Sequence, residues 1–131
     1  MLMPAALLVV LVLGAIAVDL SVVRLAHRDL LDLAASAAND AAVAGIDPAD
    51  LRDDGAATID LTRAADAVHR SLVAHAVAAR VTVTRLELGP GPDEITVELA
   101  MPVEHIFAKA IPGAADGTTV HARASASAVR R

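Results

Sequence analysis

The chain contains no cysteine, tryptophan or tyrosine, and its one phenylalanine is Phe107. Without thiols there is no disulfide staple, thiolate metal ligand or cysteine nucleophile, and redox chemistry gives no reading of compartment. Without large aromatics, any core must be built from small and branched side chains, chiefly Ala, Val and Leu, in a composition that is 56% hydrophobic. Lysine is equally scarce: Lys109 stands alone among basic residues that are otherwise arginine. The Ala, Arg and Asp bias matches a GC-rich bacterial coding sequence. The formal net charge of -5 is spread along 131 residues. No basic stripe able to neutralise phosphates is present, which argues against nucleic-acid binding.

The motifs of catalysis are missing too. There is no Gly-rich phosphate loop, nucleophile elbow or Walker-type lysine. His69 and His75 are six positions apart, so they do not stack on one helix face as ligands at i and i+4 would. His27, His105 and His121 are scattered. The carboxylate pairs Asp53-Asp54 and Asp93-Glu94 fall at predicted turns, where adjacent side chains diverge into solvent. No catalytic residue, metal site, cofactor or small-molecule substrate is expected, and the chain reads as a structural or interaction protein.

What the chain has is one long apolar run. Met1 to Val18 carries no charge and, at about 1.5 Å per residue, reaches roughly 27 Å, close to the hydrocarbon thickness of a bilayer. Pro4 sits in the first turn, where its missing N–H costs little. A cleavable signal is the rival reading, since Ala15-Ile16-Ala17 fits a small-x-small cleavage site, although no Lys or Arg precedes the run. Arg24 and Arg28, diluted among Asp19, Asp29 and Asp32, are weak topogenic signals.

The continuation favours an anchor. From Leu20 to Ala44 there is no Gly or Pro, and Leu20, Val23, His27, Leu30, Ala34, Ala37, Ala41 and Ala44 recur at spacings of three and four. This predicts one helix of roughly 40 residues, transmembrane over 1–18 and amphipathic over 19–45, stopped by Gly45 and Pro48. Its alanine seam admits close approach of another backbone, either the protein's own domain or a neighbouring subunit. Asp19 marks the membrane edge, as a plain interface residue or as the partner of a basic group on another subunit.

Residues 46–60 read as a linker, in which Asp47-Pro48 opens a short turn. Residues 61–131 read as a small α+β domain, of a size at which burial alone supplies only about 3–5 kcal/mol. Its second helix is expected over Leu61–Ala79, capped by Asp60 or Thr62, with Leu61, Ala65, Val68, Leu72, Ala76 and Ala79 inward. Alternation then predicts a strand over 81–88 with a bulge near Arg85, a turn at 89–93, and a strand from Ile95 to Met101 ended by Pro102. A short helix follows over Val103–Ala110, with Val103, Ile106, Phe107 and Ala110 inward. The last strand turns Val120, Ala122, Ala124, Ala126 and Ala128 to the core. The fold class is α+β, a long helix on a three-stranded antiparallel sheet with a pilin-like outline.

Leu13-Gly14-Ala15-Ile16-Ala17-Val18-Asp19-Leu20, the turn Val23-Arg24-Leu25-Ala26-His27-Arg28, and the stretch from Asp32 to Ala44 (DLAASAANDAAVA) together resemble the N-terminal signature of the TadE/TadG-like pilus-assembly proteins. The likeness covers roughly residues 5 to 45, and the Ala/Ser alternation of residues 122–128 resembles the family's last strand. The resemblance implies a minor pseudopilin-like subunit of a tight-adherence pilus, or of a related type II or type IV secretion-like apparatus. Such a subunit is held by a single pass in the inner or plasma membrane, with its domain outside and other apparatus subunits as partners. Gly14 and Asp19 match the spacing of a prepilin cleavage site, but there the apolar run must follow the cut; no such processing is expected. The alternative is an exported binding module freed by removal of residues 1–17.

Overall fold

The computed structural model describes residues 2–53, 57–75 and 78–128. Helix α1 (Leu2–Ala44) runs unbroken for 43 residues, about 65 Å at 1.5 Å per residue. Gly14 does not interrupt it: no other group crowds that position. The two halves of α1 differ. Leu7 to Leu13 are exposed, whereas Leu30, Leu33, Ala34, Ala37, Ala38, Ala41 and Ala42 are fully covered. The near half is apolar and long enough to cross a membrane.

The helix stops at Gly45 because a second chain segment passes against it. A Cβ there would lie 2.5 Å from the Ala41 carbonyl oxygen and 2.9 Å from Ile59 Cγ2, so only glycine fits. Gly45→Ala is therefore expected to cost about 1–3 kcal/mol through overpacking, read as a lower urea midpoint for the full chain in detergent; an unchanged midpoint would show that both the Ala41 carbonyl and Ile59 give way freely.

Residues 46–53 and 57–60 fold back on the helix end. The Asp47 side chain accepts from the Ala49 N–H at 2.8 Å and starts α2 (Pro48–Asp53). Ile46 and Ile59 form an antiparallel bridge, flanked by Asp47 N–H to Thr58 C=O at 2.9 Å and Asp60 N–H to Gly45 C=O at 2.8 Å. Asp60 then caps α3 (Leu61–Val73), accepting from the N–H groups of Thr62 at 2.7 Å and Arg63 at 3.4 Å. Those two bonds hold its carboxyl below the ordinary range.

Helix α3 turns Ala64, Ala67, Val68, Ser71 and Leu72 inward. Of the expected stripe, Val68 and Leu72 are inside, Leu61, Ala65 and Ala79 are exposed, and Ala76 lies outside the described residues. The helix also ends at Val73, short of Ala79: the His75 N–H reaches the Leu72 carbonyl at 3.0 Å, tightening the last turn.

The sheet has the order β1-β2-β3, with β1 (Thr82–Leu88), β2 (Glu94–Glu104) and β3 (Gly117–Ser127) all antiparallel. The register shifts between Val83 and Arg85, at the expected bulge. On the inner face three bulky residues of β2 face alanines of β3, Ile95 opposite Ala126, Val97 opposite Ala124 and Leu99 opposite Ala122, while Met101 meets Val120. That asymmetry leaves room above β3 for the alanine face of α1, which lies across β2, β3 and α3. The stretch of the α1 seam from Leu30 to Ala41 is thus filled by the protein's own domain. Outward, Thr96 and Ser125 share a hydroxyl hydrogen bond of 2.7 Å.

Two expectations about β2 need correction. Pro102 does not end the strand, which continues to Glu104 with Pro102 opposite Thr119. Its carbonyl accepts from Arg80 Nη2 at 3.1 Å on the β1 side, and β1 pairing stops at Thr82 opposite Ala100. The missing N–H therefore faces a place where no partner strand needs it. Nor do residues 103–110 form a helix. Val103 is a buried strand residue, and only Ala108–Ala110 make a 3-10 turn, with Ile106 and Phe107 exposed instead of inward.

Candidate functional site

The residue that organises the end of the domain nearest the apolar run is Asp19, the first charged position after that run. It belongs to α1, yet its carboxylate faces the loop joining β2 to β3. Oδ1 accepts from the N–H groups of Ile106 at 2.8 Å and Phe107 at 3.1 Å. Oδ2 accepts from Phe107 at 3.3 Å and Ala108 at 2.8 Å. These amides open the 3-10 turn Ala108–Ala110, whose own N-cap position, Phe107, provides no side-chain cap. Asp19 thus caps the turn from another element, nearly ninety residues away in the chain.

The carboxylate is 9% exposed. Burial pushes its pKa up, but the N–H groups of Phe107, Ala108 and Ile106 outweigh that, helped by the charge of nearby His105, and the group titrates below its ordinary value. It stays ionised at neutral pH, with its charge met by backbone donors instead of water.

The loop is braced at its base. The His105 N–H donates to Asp116 C=O at 2.9 Å, and His105 Nδ1 lies 3.1 Å from the Ala115 carbonyl oxygen. Gly113 takes a φ of +85°, a left-handed conformation that suits glycine. Gly117 re-enters the sheet where a Cβ would stand 2.5 Å from the Val103 carbonyl oxygen. The loop presents Ile106, Phe107 and Ile111 to the outside at 50%, 46% and 56% exposure. Between the loop and the flank of α1 runs a groove of about 310 Å³, walled by Leu8, Leu11, Val12 and Ile16 on one side and Phe107 and Ile111 on the other. A larger hollow of about 670 Å³ near Pro102, Asp116 and Thr119 holds surface charges, of which Lys109 lies 3.4 Å from Glu104 Oε2.

The seam residues fall as follows. Leu30, Ala34, Ala37 and Ala41 are buried together and Val23 is half-buried, while Leu20, at 54% exposure, His27 and Ala44 face outward. Next to the apolar run the packed face goes instead through Asp19, Val22 and Ala26, one residue round the helix, because the bond from Asp19 to the loop sets which side of α1 meets the domain. His69 and His75 do not converge with other ligands, and among the described residues no group of three His, Cys, Asp or Glu could hold a metal. Nothing in the spacing along the chain links Asp19 to Ile106–Ala108, because main-chain amides leave no trace in side-chain pattern. The one available signal is that the only aromatic, Phe107, and the only lysine, Lys109, fall two residues apart.

No protein-family model, no curated protein and no solved structure matches the chain.

Proposed function

We propose that the chain is a membrane-anchored structural subunit of a tight-adherence pilus or a related type II or type IV secretion-like apparatus. The near half of α1 is the single-pass anchor in the inner or plasma membrane, and the domain stands on its extracytoplasmic side. The observation that carries this reading is the division of α1 into an uncovered apolar half and a half buried in its own sheet, with Asp19 locked at the boundary. A helix serving only as a core element would be covered along its length. The domain is joined to the span without a stalk, so membrane and domain move as one piece, which suits a component that positions other subunits rather than one that turns over a substrate. The likeness of residues 5–45 to the TadE/TadG-like signature supplies the apparatus.

The test is assembly in the source cell. Removing the gene is expected to abolish the surface fibre or the apparatus's export, with restoration by the wild-type chain. Leu11→Arg, which places a charge in the apolar run at a cost of about 2.5–3.5 kcal/mol for insertion, is expected to restore neither. Full assembly in cells lacking the chain would contradict the proposal.

A further inference from the structure

We infer that the loop between β2 and β3 is a second membrane contact, and that the groove between it and α1 takes acyl chains of the leaflet that α1 enters. This rests on the anchor reading of α1. One wall of the groove, Leu8 to Ile16, is the apolar run itself; the other is Phe107 and Ile111. Whatever medium surrounds that stretch of α1 therefore also surrounds the loop tip. If the run lies in hydrocarbon, the groove opens into hydrocarbon.

The loop's backbone is prepared for that medium. In lipid an amide without a partner costs several kcal/mol, so irregular segments enter only when their polar groups are satisfied internally. Here the N–H groups of Ile106, Phe107 and Ala108 are met by the Asp19 carboxylate. Those of Ala110, Ile111 and Ala114 donate to Phe107, Ala108 and Ile111 at 3.0, 2.9 and 3.0 Å. Facing outward are the apolar Ile106, Phe107 and Ile111, about half exposed in the isolated chain, while the exposed Asp116 sits at the loop's base beside His105. The one lysine of the loop, Lys109, has a stem long enough to carry its ammonium to the headgroup level. Asp19 thus performs two tasks with one carboxylate: it satisfies the loop's amides, and the amides neutralise a charge placed at the end of a membrane span. The contact resembles that of an interfacial segment, immersed by roughly 5–10 Å.

Because the chain has no tryptophan, a single introduced one reports its surroundings without background. Full-length F107W, I111W and L11W would each be reconstituted in phosphatidylcholine vesicles, with and without bromine on the acyl chains. Leu11 lies on the apolar run of α1 as well as on the groove wall, so L11W reports whether the run itself is in hydrocarbon. Loss of most of the emission in brominated vesicles for all three is the expected result. Quenching of L11W with neither F107W nor I111W affected would overturn the inference while leaving the anchor intact. A blue-shifted, protein-concentration-dependent emission at 107 and 111 without quenching would likewise overturn it, giving the groove to a second copy of the chain. Quenching at none of the three would remove the anchor reading, and this inference with it.

Discussion

Leu99→Ala is expected to lower the stability of the domain by about 2–5 kcal/mol, the range for truncating a fully enclosed leucine. Leu99 is 0% exposed at the middle of the central strand, opposite Ala122 on β3 and in the same cluster as the alanine face of α1. Its neighbours cannot collapse into the space easily. The β3 partner is an alanine, the helix above approaches through alanines, and neither has side-chain length to extend. Set against the ~3–5 kcal/mol that a domain of this size draws from burial, the loss leaves it near its unfolding midpoint. Pulse proteolysis of the full chain in detergent across a urea series checks this. A midpoint shift equivalent to less than ~1 kcal/mol would mean that the helix and sheet are less closely apposed than the burial of Ala34, Ala37 and Ala41 implies.

Asp19→Asn is expected to undo the junction between α1 and the β2–β3 loop while leaving the core intact. The substitution keeps one acceptor oxygen but puts an NH₂ where a second must receive an N–H, so either Ala108 or Ile106 meets a donor instead of an acceptor, while Phe107, bonded to both oxygens, keeps one. Hydrogen exchange at Ile106, Phe107 and Ala108 should then run at least ~10-fold faster, in keeping with the strength of hydrogen bonds to charged acceptors. The exchange of β2 amides should be unchanged. In the wild-type chain the same protection should depend on pH in one direction only. Because the folded-state pKa is lowered, the contribution of the carboxylate is fully present above the unfolded value and disappears as pH falls through the lowered one, hence only below about pH 4. Asp19→Asn should show no such dependence. Equal exchange in both proteins at neutral pH would remove Asp19 from the account.

Much of the framework could be read from periodicity. Helical spacing through residues 20–44, the alternation of Ile95 to Met101 and that of Val120 to Ala128 each have one arrangement that buries the apolar side, and the fold follows from stacking them. The phase slip at Arg85 was visible because Val83 and Leu86 cannot lie on one face without an extra residue between them. Where alanine fills both sides of a helix, pattern loses its hold: Val68 and Leu72 mark the inward face of α3 correctly, but Ala64 and Ala65 are indistinguishable by type, and it is Ala64 that is buried. The segment 103–110 misled for a different reason. Val103, Ile106, Phe107 and Ala110 have helical spacing, but Val103 belongs to the strand and the other apolar residues lie outside the core. Spacing alone cannot distinguish burial in a core from exposure beside an apolar helix. The Asp19 junction was hidden altogether, since it is made by backbone groups whose placement depends on the finished fold.

The most direct measurement is carbonate extraction of cell membranes followed by intact-mass analysis of the chain recovered. The account predicts the full-length chain in the membrane pellet, because the run before Asp19 is uncovered by protein and continuous with the packed half of α1. A soluble chain beginning near Val18 would contradict it: the apolar run would then be a removed signal, and the domain an exported module.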